Sequence, residues 1–179
     1  MIRISRSIWC IHVFVLLLLT FNCALGSSKS KLKKFLSHDS VLVASVFTVV
    51  QEGNGDSESR IEFRTSKGKL IGAKSFMSKD HAHGLGIVKA EWTLDSRYFV
   101  FSTISSGGRH AGYFPTFFFS RSDNQLHVLD KFARGNIIDP EFELGFPNSV
   151  TIIVEDRSQH TKKPLLETRT LRLVELKEK

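Results

Sequence analysis

Three short stretches carry side chains that could do chemistry. In KDHAHG, residues 79–84, His81 and His83 stand two apart, so in an extended segment both imidazoles project to one side, with Asp80 beside them as an oxygen donor. Imidazole and carboxylate in that arrangement can hold zinc or a similar ion. A third and fourth ligand are missing nearby, and histidines in a polar loop commonly serve only solubility. His81 and His83 are therefore weak metal candidates, and no cofactor is expected. A small metal-dependent hydrolase using this region is the catalytic alternative to the reading below.

The second stretch is EWTLDSRYFVFS, Glu91 to Ser102. A nucleophilic serine at position 96 would need a base within hydrogen-bond reach and an oxyanion hole, usually announced by a Gly-x-Ser-x-Gly elbow. That elbow is missing. Asp95 is expected instead to cap a turn by accepting backbone N–H bonds, with Trp92 and Phe101 in the core. The third stretch is SSGGRHAGYFP, Ser105 to Pro115. Paired glycines loosen or sharply turn the backbone, Arg109 and His110 offer polar contacts, and Tyr113 with Phe114 offers aromatic area. That mixture suits a binding loop, so Arg109, His110 and Tyr113 are the expected binding residues. A loop whose Tyr113 and Phe114 merely cover the end of the core is the structural alternative. No phosphate-cradling glycine loop, paired-carboxylate spacing or dinucleotide fingerprint occurs, and the expected protein is not an enzyme.

The elements that must position these residues read as strands separated by turn signals, without a sustained helical period. VLVASVFTVV (Val41 to Val50) is β-branched and apolar, and a Gly/Asn/Asp loop follows it. RIEFRTS and KLIGAKSF flank SKGK, where Gly68 supplies the positive φ of a hairpin. LGIVKAEW leads through TLDS into RYFVFSTI, which carries bulk on both faces. TFFFS, buried on both faces, joins QLHVLDK through RSDN, with Asn124 tolerant of positive φ. EFELGF and SVTIIVEDR surround Pro147-Asn148, and LLETRTLRLVEL is the last strand. The most apolar strands begin near Val41, Tyr98 and Val150, each followed by hairpin-like material, which makes a weak internal repeat. The expected fold is all-β, a run of antiparallel meanders.

Within that repeat, Trp92, Asp95, Ser96, Arg97, Tyr98, Phe101 and Ser102, with QLHVLD as an outer strand, resemble the TolB-type, WD-like β-propeller repeat. Thr93 and Leu94 stand where that repeat has Ser-Pro, and Ser96 where it has Gly. The resemblance covers Glu91 to Asp130. Three such units are too few to close a propeller, so open twisted sheets or a sandwich is expected. The resemblance implies macromolecular binding, because many such repeats serve protein interaction.

The N-terminus belongs to another category. Arg3 and Arg6 precede the apolar run Ile8 to Phe21, which is shorter than the ~20 residues that span a bilayer, and small residues follow it. Residues 1–26 read as a secretory signal cut after Gly26, with Ala24 and Gly26 in the small positions. Lipidation of Cys23 is the second route, although Phe21 and Asn22 depart from the usual lipobox. Retention as an anchor is the third, favoured by the lysines that follow the run. Both cysteines, Cys10 and Cys23, lie in this segment, so no disulfide supports the domain.

The formal charge of +7 is distributed unevenly. Of 25 lysines and arginines, Arg3 and Arg6 leave with the signal, and Lys29, Lys31, Lys33 and Lys34 sit together. From Phe35 onward 19 basic residues face 18 acidic ones. A basic face for nucleic acid is therefore not expected. Residues 27–36 read as a basic tether able to touch an anionic membrane surface, and residues 37–179 as a single all-β domain. Taken together, the sequence describes an exported cell-envelope or secreted protein, in the periplasm, in the medium or lipid-anchored. It binds a protein or other envelope macromolecule through loops at one edge.

Overall fold

The computed structural model describes residues 29–50, 57–80, 83–107, 112–156 and 165–176. Expectations for residues 1–26, including Cys23, lie outside them. The described chain is all-β, and none of its sheets is closed.

The first sheet is a meander of β1 (Lys29–Leu36), β2 (Leu42–Val50), β3 (Ser57–Thr65) and β4 (Leu70–Ser75). The second, in the same order, is β5 (Leu85–Trp92), β6 (Tyr98–Ser105), β7 (Thr116–Ser120) and β8 (Gln125–Val128). In the third, β11 (Ser149–Asp156) pairs β12 (Leu165–Arg172) along one side. Its other side is shared by the short β9 (Asn136–Ile137) and β10 (Glu143–Gly145). A four-residue helix α1 (Asp130–Ala133) joins the second sheet to the third, and a 3₁₀ turn at Leu173–Glu175 closes the chain.

Stacking of the sheets follows from the strand period. On β6 and β7, Phe99, Phe101 and Phe119 point to one side and join Leu42, Ala44, Val46, Ile61 and Phe63 of the first sheet. Tyr98, Val100 and Phe118 point to the other side and join Val150, Ile152 and Val154 of the third. The central sheet is therefore buried on both faces. That is why YFVF and FFF are continuous apolar runs rather than alternating ones. Phe63 stacks on Phe119 with centroids 3.9 Å apart, and the Trp92 ring tilts against Phe99 at 5.1 Å. Trp92 also donates from Nε1 to the Phe35 carbonyl at 3.0 Å, pinning the first sheet to the second.

Several expected turns hold. Gly68 has φ +87° and Asn124 φ +56°, as their hairpins require. Two expectations need correction. Lys29–Leu36 is not a tether but strand β1, in register with β2 along its whole length. An edge strand has one hydrogen-bonding side and two faces that need not be apolar, so lysines at alternate positions are no obstacle. The segment QLHVLDK ends its strand at Val128, because Asp130–Ala133 turns into α1.

No helix of the described residues is long and apolar enough to cross a membrane.

Candidate functional site

The domain has two ends of different construction. At one end lie the corners between the first two strands of each sheet. Ser37 and Thr93 occupy the same place in two of them. Ser37 Oγ donates to Asp39 Oδ1 at 2.7 Å and Thr93 Oγ1 to Asp95 Oδ1 at 2.7 Å. The same carboxylate oxygens accept Val41 N at 3.2 Å and Arg97 N at 3.1 Å. Ser40 and Ser96 take φ +58° and +59°, the left-handed conformation that side chains rarely adopt. Asp95 is thus a turn cap, and Ser96 is a buried turn residue rather than a nucleophile.

These corners are tied to one another. Asp39 N donates to Ser96 Oγ at 3.1 Å, and Asn148 Nδ2 donates to Asp95 Oδ2 at 2.9 Å. Arg121 adds an ion pair to Asp39. The Ser37 hydroxyl, then the Arg121 guanidinium, pull the Asp39 carboxyl down to about 2. The Asp95 carboxyl also lies below its ordinary value. Burial, the largest single influence, pushes it up, and bonds from Asn148, Thr93 and Arg97 together outweigh it. This end is structural.

At the opposite end the connections are longer and meet at Glu58. Its Oε1 accepts Gly84 N at 2.6 Å, Ser78 Oγ at 2.7 Å and Ser106 Oγ at 3.0 Å, and its Oε2 accepts Ser78 N at 2.8 Å. Burial, the largest influence, would raise this carboxyl, yet the bonds from Ser78, Gly84 and Ser106 hold it below the usual range. A charged Glu58 therefore fixes the crossover from the first sheet to the second and the start of the loop after β6. Gly84 is required here, since a Cβ would stand 2.3 Å from the Phe76 carbonyl oxygen and 2.5 Å from Glu58 Cδ.

The expected site residues sit at this loop end. His83 pairs through Nδ1 with Asp80 at 2.6 Å, half exposed, whereas His81 lies outside the described residues. Among the described residues no group of three or more His, Cys, Asp or Glu gathers as a metal site. Arg109 and His110 also lie outside them. Tyr113 is half-buried and its hydroxyl bonds Asp130, whose Oδ2 accepts Thr116 N at 2.9 Å. Burial, then the Asp130 charge, push the Tyr113 phenol up to about 12. Burial raises the Asp130 carboxyl as well, despite its bonds to Thr116 and Tyr113. Phe114 N donates to the Ile137 carbonyl at 2.8 Å. The end of the loop is therefore fastened to α1 and β9.

A further feature was not foreseen from the sequence. Between the first two sheets, on the side of their edge strands β1 and β5, a wedge-shaped groove of about 270 Å³ opens. Val46, Ile87 and Ala90 line its floor, with Lys31 and Lys33 beside them; Lys89 borders it but carries its ammonium to the face of β5 turned to the third sheet. Lys33 Nζ stands 5.6 Å above the Phe35 ring. Lys89 Nζ stands 4.9 Å above Phe142 and bonds Glu141 Oε2 at 2.8 Å. Pairing puts Lys31 beside Thr48 and Lys33 beside Val46, whose side chains also line the groove. Lys34 pairs with Ser45 and projects to the opposite face. The basic segment is thus divided between two faces and presents no single flat patch.

No family model and no curated protein sequence matches the chain. Among solved structures, it is similar to the β-propeller domain of the Trilobed protease from Pyrococcus furiosus, at 10% identity and a TM-score of 0.31. The likeness covers 80% of this chain, which spans 54% of that one.

Proposed function

We propose that this is an exported, non-catalytic protein that binds another macromolecule at the loop end and inner edge of an open β domain. The observation that carries the reading is the wedge between β1 and β5, where an apolar floor, Lys31, Lys33 and a strand edge unpaired among the described residues meet. Such a mixture suits recognition better than chemistry, because it provides contact area and charge but no base–nucleophile pair. The loop Ser105 to Pro115, whose Arg109, His110 and Tyr113 are the expected contacts, leaves the central sheet at the end where Glu58, Gly84 and Ser106 meet. Export is supported by the apolar run and small residues that precede the domain.

An affinity capture from an envelope or secreted fraction tests the reading. A tagged domain should retain a discrete partner that is lost from an Arg109→Ala/Tyr113→Ala variant or from a Lys31→Glu/Lys33→Glu variant. Recovery of no partner, or of every partner by both variants, would sink it.

A further inference from the structure

We infer that the occupant of the wedge is an extended acidic polypeptide segment that adds as a strand to the free edge of β1. Its carboxylates lie on Lys31 and Lys33. The inference rests on the binding reading above and gives the partner a chemistry.

The first sheet runs β1-β2-β3-β4, so among the described residues one side of the β1 backbone has no strand beside it. Unpaired N–H and C=O groups along such an edge are a template for an incoming extended chain. The other bordering strand, β5, is a poorer template, because a bulge between Ile87 and Lys89 breaks its regularity. Alternation along β1 then sets the partner's pattern. Lys31 and Lys33 face the wedge, while Leu32 and Leu36 face the other side, 49% and 57% exposed. A strand laid beside them satisfies both faces if acidic residues alternate with apolar ones.

Lys89, at the border of the wedge, takes no part. It pairs with Ser102 and carries its Nζ over Phe142 to Glu141 Oε2, on the face of β5 turned to the third sheet. Lys31 and Lys33 are therefore the cations that meet an incoming strand.

Fluorescence anisotropy of a labelled ten-residue peptide alternating Glu and Val, against its Lys-for-Glu counterpart, tests this. The Glu peptide should bind, weaken with salt, and bind the Lys31→Glu/Lys33→Glu variant about tenfold less tightly. Lys67→Glu/Lys69→Glu, in the β3–β4 turn, should leave it unchanged. Equal weakening by the turn variant would mean diffuse charge and overturn the proposal. So would no binding at all, which would make the edge lysines a guard against strand pairing. Binding to phosphatidylserine vesicles, lost in the β1 variant while the peptide fails to bind, would assign the lysines to a membrane instead. A natural partner captured equally well by the β1 variant would overturn this inference and leave the binding reading standing.

Discussion

Asn148 Nδ2 donates to Asp95 Oδ2 across 2.9 Å, joining the corner of the central sheet to the corner of the third. The other oxygen of Asp95 is occupied inside its own corner by Thr93 and Arg97 N. One carboxylate therefore caps a turn and stitches two sheets.

Asp95→Ala should cost about 2 kcal/mol, because it removes the cap and leaves the Asn148 amide without this acceptor. Asn148→Ala should cost about 1 kcal/mol, and the double variant less than their sum, since both changes delete the same bond. Urea unfolding of the four proteins measures the coupling.

Glu58 and Asp130 should respond to pH with opposite sign. Folding depresses the Glu58 carboxyl, so its contribution is present above the unfolded glutamate range and lost as pH falls through its folded value. Burial raises the Asp130 carboxyl, so its contribution is present below the unfolded aspartate range and lost as pH rises through its folded value. At pH 7 Glu58→Gln should destabilise by roughly 1.5–3 kcal/mol, while Asp130→Asn should hold or raise stability. Thermal unfolding of both variants between pH 3 and 7 gives the signs.

Gly84→Ala should disrupt the crossover, since its Cβ would meet backbone at 2.3 Å. The expected loss exceeds about 3 kcal/mol, against about 1 kcal/mol for Gly112→Ala, where space is open and only the positive φ resists a side chain. Denaturation midpoints of the two variants rank them.

Mass spectrometry of the protein recovered from its native compartment should show Ser27 as the first residue. The alternative product of export is an acylated Cys23, and an intact Met1 would refute cleavage.

Much of the fold was legible because its signals are local. Gly68 and Asn124 marked their hairpins, and the two-sided burial of β6 and β7 was written in YFVF and FFFS. Asp95 was legible as a cap because its partners lie within a few residues. Its twin at Asp39 was missed, although SHDS stands before β2 as TLDS does before β6, because the lysines ahead of it suggested a tether. Charge alone does not separate an edge strand from a tether; the pairing partner does. Helix α1 was missed because DKFA is too short to show a period. The Glu58 hub and the wedge were beyond reach for a different reason. Gly84 and Ser106 lie 26 and 48 residues from Glu58, and the wedge joins Lys31 and Lys33 to Ile87 and Ala90. No spacing rule brings such residues together before the sheets stack.

Hydrogen–deuterium exchange of β1 with and without the acidic peptide addresses the central claim most directly. If β1 is a folded edge strand that takes the segment, its amides bonded to β2 exchange slowly in the free protein. Those on its open edge then slow when the peptide is added, while the outer edges at β4 and β12 do not change. Rapid exchange throughout Lys29–Leu36, or peptide-induced protection that falls elsewhere, would contradict the account.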